Sequence, residues 1–383
     1  MASAWPPPYH RPLEGEALEA EVEAYVGLSL LPGIGPRTIK QWVEQVGRAR
    51  AVWERLPQMV RTRAGRDDLI IAWRAAHPGR VVARARRCRQ QVVVPGHPAY
   101  PERLWQLADP PPVLFVRGAL DARPAVAVVG ARRASPYGLQ AAARLARDLA
   151  AAGVAVVSGL ARGIDGAAHR GALDGGGRTV AVLGSAVDVI YPPEHVPLAE
   201  AIAARGALVS EFPPGTPPQP GHFPRRNRLI SGLCLAVVIV EGAEDSGALV
   251  TVDYALAQGR DVFAVPGSIF SPVSRAPLAL LRDGAKMATS ADDILQELQV
   301  PAVPPVDAAP GGAAGSSDGG RPTDRLLAAL AGGPATLDAL VASTGLTAAE
   351  VAAAITLLEV QGRVVLHPGQ LVAARAMPDR REP

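Results

Sequence analysis

The stretch HFPRRNRLISGL, residues 222–233, sets Arg225, Arg226 and Arg228 around Asn227 with no acid among them. A guanidinium is a permanently charged planar fork that matches phosphate. Phe223 adds a ring face, and Asn227 can bond a base edge or backbone. Aromatic beside cationic is the combination that holds single-stranded nucleic acid, whose unpaired bases are free to stack. A plainer reading stands beside it: a helix N-terminus tied down by salt bridges.

Three other stretches could meet an anion. In VVGARRASPYG, 128–138, Ser135 is an N-cap residue and Pro136 suits the first helical turn. The spacing predicts free N–H groups beside Arg132 and Arg133, which together make an anion site. The alternative is a capped helix with two surface arginines. In SGLARGIDGAAHRGAL, 158–173, Gly159 and Gly163 allow left-handed backbone or close approach by a ligand. There Asp165 is expected to cap the next helix, with His169 one turn on. The two could form a base and its orienter, or only a packed histidine bonded to a capping aspartate. In EDSGALVTVDYALAQGR, 244–260, Asp245 or Ser246 is expected to cap a helix that carries Thr251 and ends at Gly259.

Glu211 and Glu241, at the ends of apolar runs, could serve as acids, but nothing in the sequence pairs them. There is no G-x-x-x-x-G-K-[ST] and no G-x-G-x-x-G after a strand. A nucleophile elbow and His/Cys metal spacing are missing too. The expectation is a polyanion holder without metal or cofactor rather than a bond-making enzyme.

Those residues need a scaffold. AVAVVG, VAVVSG, TVAVLG, ALVSE, LAVVIVE and DVFAVPG, between 125 and 267, are short continuous apolar runs of the kind that parallel strands buried on both faces require. Helical patterns at 136–152, 165–174, 197–205 and 248–258 separate them, which predicts a doubly wound α/β domain. Ligands of such sheets bind outside the strand carboxyl ends, where the polar residues above lie.

The 383 residues are 48% hydrophobic, enough for two or three domains. A net charge of +3 is compatible with a nucleic-acid partner without demanding one. Only Lys40 and Lys286 are lysine among 39 basic residues. Cys88 and Cys234 read as reduced thiols, and no signal core or membrane-length run is visible, so a cytoplasmic location is expected. The opening dozen residues read as a loose tail.

Residues 13–90 read as a small helical domain, with LLPGIGPRTIK either a helix-hairpin-helix phosphate site or a tight inter-helix turn. Its part from 48 to 90 is rich in arginine with few acids, either a binding face or a solvated one. Residues 91–300 form the core, and 301–322, built from Pro, Gly, Ala and Ser, read as a flexible linker. Residues 323–376 read as three helices and a hairpin turning at Pro368-Gly369, a winged-helix-like domain. Its third helix, TAAEVAAAITLLEVQG, has two acids and no basic residue. That favours protein contact over the major groove.

From YPERLWQLADPPPVLFVRGAL (100–120) to LLRDGAKMA (280–288), with the motifs above and TVAVLGSAVDVIYPPEH, LVSEFPPGTPP and FPRRNRLISGL between, the chain resembles the DNA-processing protein A family (DprA, also called Smf). The resemblance implies an extended Rossmann-like core with a mostly parallel sheet, flanked by a small all-α N-terminal domain and a C-terminal winged-helix-like domain. It implies a homodimer that binds single-stranded DNA, protects it and passes it to the RecA recombinase in natural transformation. Carried over by motif, Arg132, Arg178, Phe223, Arg225, Arg226, Asn227 and Arg228 contact the strand, with Ser158 and Gly159 at the neighbouring strand end. Arg133 and Arg162 complete the expected nucleic-acid-binding set. The chain departs from the family pattern at Ala186, Asp253, Ala276 and Leu278. Two other functions compete: an enzyme acting on nucleotides through Asp165, His169 and Glu211, and a protein–protein adaptor working through the winged domain.

Overall fold

The computed structural model describes residues 12–61, 67–121, 123–300, 322–330, 334–360, 363–367 and 371–374. Most of the expected tail, nearly all of the expected linker 301–322 and the Pro368-Gly369 turn lie outside these residues. The chain divides into two compact units, residues 1–307 and 308–383.

The first unit opens with five helices: α1 (Gly15–Ser29), α2 (Pro36–Val46), α3 (Ala49–Arg61), α4 (Asp67–Ala75) and α5 (Pro78–Arg87). Tyr25, Leu28, Ile39, Val43, Val52 and Leu56 form their shared apolar interior. Glu21 is buried, and its carboxylate accepts from the amides of Ala49 (2.7 Å) and Arg50 (3.2 Å), so it caps α3 from across the bundle. Burial raises its pKa against the pull of those two amides. Lys40 clips the bundle to the core, donating to the carbonyls of Trp105 (2.9 Å) and Leu107 (3.0 Å).

The core follows as β1 (Gln91–Val93), α6 (Glu102–Trp105), β2 (Leu114–Gly118), β3 (Ala125–Val129), α7 (Pro136–Ala151), β4 (Ala155–Ser158), α8 (Ile164–Asp174), β5 (Thr179–Val182), α9 (Val196–Arg205), β6 (Ala207–Ser210), α10 (His222–Leu233), β7 (Ala236–Ile239), α11 (Leu249–Ala257), β8 (Asp261–Ala264), α12 (Arg275–Arg282), β9 (Lys286–Met287) and α13 (Ala291–Leu298). The strand order is β1-β2-β6-β5-β4-β3-β7-β8-β9. The run from β6 to β9 is parallel throughout, while β1 and β2 add an antiparallel edge beside β6.

Strand side chains alternate between the two faces. Val126, Val128 and Val156 enter one apolar cluster with Leu145 and Leu149 of α7, Ala168 of α8 and Ile294 of α13. Ala127, Val129 and Val157 enter the other, with Ile202 of α9, Leu229 of α10 and Val252 of α11. That second cluster runs on into the N-terminal bundle, which is why bundle and core make one unit. Chain order along the sheet reverses between β3 and β7, so the fold opens a crevice at their carboxyl ends.

The second unit holds α14 (Pro322–Leu330), β10 (Ala335–Thr336), α15 (Leu337–Thr344), α16 (Ala348–Val360), β11 (Val364–His367) and β12 (Leu371–Ala374). Its three helices and three-stranded antiparallel sheet, in order β10-β12-β11, enclose Leu326, Leu340, Ile355 and Leu358. Among the described residues, no helix of either unit is long and apolar enough to cross a membrane.

Candidate nucleic-acid interface

The crevice between β3 and β7 is a cleft of about 710 Å³. The turn 129–133, the first turns of α10 and the loop 246–248 before α11 line it. Arg132 and Arg133 are exposed and, among the described residues, form no ion pair. The Arg132 guanidinium lies over the Phe223 ring, 5.4 Å from its centroid, and Tyr191 approaches the same ring at 5.8 Å with a 47° tilt. Phe223 can sit there because residue 184 is glycine. A Cβ on Gly184 would stand 2.7 Å from the ring. The sequence reading missed Tyr191, since nothing in VIYPPEH marks a tyrosine as facing residue 223.

The arginines of 225–228 do not converge. They lie on α10, where successive residues turn by about 100°, so Arg225, Arg226 and Arg228 leave the helix in three directions. Arg226 is buried beneath the cleft, and its Nη1 donates to the carbonyls of Gly159 (2.7 Å) and Val182. Its Nε donates to Asn227 Oδ1 at 3.1 Å. Burial pushes its pKa down to about 10, which leaves it charged at neutral pH. Asn227 is buried too, and its amide nitrogen reaches the Gly247 carbonyl at 3.5 Å. Arg228 is 2% exposed and ion-paired with Glu211 (2.5 Å) and Asp109 (3.2 Å). Only Arg225 is exposed, on the far side of α10 from the cleft, 5.6 Å over the Phe212 ring and 3.8 Å from Glu211. Both guanidiniums thus tie α10 to the core, Arg226 through carbonyls and Asn227 and Arg228 through two carboxylates, with Arg228 Nη1 buried and without a hydrogen-bond partner.

Four further expected site residues have structural partners as well. The Ser158 hydroxyl is fully buried and donates to the Val128 carbonyl at 2.7 Å, joining two strands. Gly159 does permit close approach, but by Arg226. A Cβ there would meet the guanidinium at 2.7 Å. Arg162 is exposed in an ion pair with Glu194 at 2.5 Å. Arg178 precedes β5 and pairs with Asp121 at 3.1 Å. That is the amino end of the strand, about 13 Å of sheet from the cleft edge.

The N-terminus of α7 is not free. Ser135 caps it as expected, accepting from the Gly138 amide at 3.1 Å. Glu241 comes from the end of β7 to take the Ser135 amide (2.8 Å) and hydroxyl (2.5 Å). The strand-end carboxylate left unpaired by the sequence thus occupies the helix end expected to hold an anion. By contrast, α11 begins without a side-chain cap, and Gly247, Ala248, Val250 and Thr251 at its start line the cleft. Ser246, expected as the cap, lies two positions before the N-cap Ala248 and accepts from its amide at 3.3 Å.

Asp165 and His169 are not bonded to each other. Asp165 turns back to accept from the amides of Gly159 (3.1 Å) and Ala161 (3.3 Å), fixing the loop rather than capping α8. Burial raises its pKa, opposed first by the Arg226 charge. His169 is fully buried with Nδ1 2.6 Å from the Thr179 hydroxyl. Burial, aided by neighbouring positive charge, pushes its pKa down to about 3, so the ring is neutral at physiological pH. At two departures from the family pattern, the amides of Ala186 (to Thr216 O, 2.9 Å) and Ala276 (to Gly242 O, 3.0 Å) are bonded within the fold.

Comparison with known proteins agrees with this architecture. Residues 91–299 match the family model described as DNA recombination-mediator protein A, and residues 309–370 match the DprA winged helix domain. Protein Smf of Synechocystis is 33% identical over 91% of this chain and 98% of its own length. The DNA processing protein DprA of Bacillus subtilis is 45% identical over 52% of this chain and 68% of its own. The X-ray structure of DNA processing protein A from Streptococcus pneumoniae superposes with a TM-score of 0.64 at 32% identity, covering 74% of this chain and 99% of that one. With the crossover at β3 and β7, the winged C-terminal unit and a model match spanning the whole core, the chain belongs to the DNA-processing protein A (DprA/Smf) family.

Proposed function

We propose that the chain binds and protects single-stranded DNA in this cleft and promotes RecA loading during natural transformation and recombination, as a cytoplasmic homodimer and without catalysis. The observation that carries the reading is the grouping at the cleft mouth: Phe223 between Tyr191 and Arg132, with Arg133 beside them and no acid paired to either arginine among the described residues. An aromatic face with unpaired cations suits stacked bases on a phosphate backbone. The competing enzyme needs a base, and its three candidates are engaged within the fold: His169 is sealed in the core as a neutral ring, Asp165 is spent on two amides, and Glu211 is buried in an ion pair with Arg228. For the winged unit, α16 carries Glu350 and Glu359 and no basic residue, which favours a protein partner there.

The test is fluorescence anisotropy with labelled single-stranded and duplex oligonucleotides of equal length across a salt series. A salt-dependent preference for the single strand is expected. Arg132→Ala with Arg133→Ala removes two phosphate contacts, so the slope of log K against log salt should flatten by about 1.4, at roughly 0.7 per contact. An unchanged slope removes these arginines from the interface, and equal affinity for both forms of DNA overturns the single-strand reading.

A further inference from the structure

Helix α5, PGRVVARARR, contains no acid, and its arginines at 80, 84, 86 and 87 are all exposed. Arg86 is ion-paired with Glu19, whereas Arg80, Arg84 and Arg87 form no ion pair among the described residues. Positions 80, 84 and 87 follow the i, i+4, i+7 pattern of a single helix face, about 10 Å long. Cations in the last turn complement the helix dipole, which accounts for Arg84, Arg86 and Arg87. It does not account for Arg80. That residue is third in the helix, where the dipole repels a cation and the helix itself supplies no acid. The carboxylate near this turn is Glu23 of α1, beside Gly79, and it forms no ion pair with Arg80 among the described residues.

This face adjoins the rear of the cleft. The Arg84 guanidinium lies so close to the loop after β6 that a Cβ on Gly215 would be 2.1 Å from it. Val81, one position from Arg80, lines a small cavity of about 210 Å³ with Phe212, Pro213 and Arg225. Phe212 stacks on the His222 ring at 4.0 Å, and His222 Nδ1 lies 3.2 Å from the carbonyl of Gly184, the residue that backs Phe223. Aromatic and cationic groups therefore succeed one another from the cleft mouth to α5. Two carboxylates along this line are engaged, Asp188 by the Gly215 amide (3.0 Å) and Gln90 (3.3 Å) and Glu211 by Arg228, while Glu23 stands beside Gly79 at the start of α5.

We propose that the arginine face of α5 extends the single-strand site beyond the cleft, so that a bound backbone passes Phe223 and Arg225 and continues along Arg84, Arg80 and Arg87. This rests on the single-strand reading above and adds a second segment to it. Strands long enough to leave the cleft gain contacts that short ones do not.

The test uses the full chain and two labelled oligothymidylates, one of about 6 nucleotides, within the site sizes such grooves show, and one of about 30, well beyond them. Arg80→Ala, Arg84→Ala and Arg87→Ala together should leave the short oligomer's affinity unchanged. For the long one they should weaken binding by about tenfold or more and flatten the salt slope by about 2. Because Arg84 packs on Gly215, Arg80→Glu with Arg87→Glu provides a variant that leaves that contact intact and should show the same length-selective loss. Equal affinity of variant and parent for the long oligomer overturns the extension and leaves the cleft reading standing. A parent protein that binds neither oligomer overturns both.

Discussion

Two layers of one sheet edge treat the same chemistry in opposite ways. In the inner layer Arg226, Arg228, Asp165 and Ser158 are buried and bonded to carbonyls, carboxylates and amides, and His169 is buried against the Thr179 hydroxyl. In the outer layer Arg132, Arg133 and Arg225 stand in solvent beside Phe223, Tyr191 and Phe212. The inner cations hold strand ends and loops in place, whereas Arg132 and Arg133 of the outer set form no ion pair among the described residues and are the ones the proposed function gives to a ligand. A cluster of arginines in a sequence is thus two populations, sorted by the direction in which each side chain leaves the backbone.

The sharpest way to break this division is Arg228→Met. It strands Glu211, whose side chain is 3% exposed, without its buried partner. The loss should be about 3–5 kcal/mol in urea unfolding, with part recovered when Glu211→Gln is added. A loss below about 1 kcal/mol would place Arg228 with the outer layer. The Arg132/Arg133 double variant should unfold within about 0.5 kcal/mol of the parent, since neither side chain is buried.

His169 tests the inner layer through pH. Its folded pKa, about 3, lies below the usual value of 6.5, so the unfolded chain takes up the proton first as pH falls. The stabilisation is whole above pH 6.5 and drains away as pH drops from there towards 3, at about 1.4 kcal/mol per pH unit. His169→Gln should show a shallower fall in unfolding free energy between pH 6 and 4 than the parent. Parallel curves would mean that the ring is protonated in the folded protein.

The smallest expected effect joins the layers. Gly184→Ala would push a methyl group against Phe223 and shift the ring that the outer layer uses. Single-strand affinity should drop by roughly fivefold, near the low end of what one stacked base contributes, with unfolding little changed. Unaltered binding would remove Phe223 from the contact.

Much of the scaffold could be read from residue types. The six apolar runs became β3 to β8 within one to three residues, because a strand buried on both faces must be apolar throughout. The edge strands β1 and β9, of three and two residues, are too short to show a period. β2 pairs antiparallel at the margin and ends in Arg117 and Gly118, which blurs its pattern. The site was harder to read. Adjacency in RRNR looked like convergence, yet a helix sends neighbours apart. Whether Arg178 meets the cleft depends on which end of β5 it occupies. Glu241 reaches Ser135 across 106 residues, a pairing set by sheet order and by nothing local.

That carboxylate has a consequence for how the proposed strand would be gripped. With Glu241 seated on the start of α7, the helix's fixed partial charge is already neutralised from within. The attraction that remains at this turn belongs to two jointed side chains, Arg132 and Arg133, each able to swing from one phosphate to the next. Such a grip can be surrendered one contact at a time, as the proposed passing of the strand to a recombinase requires.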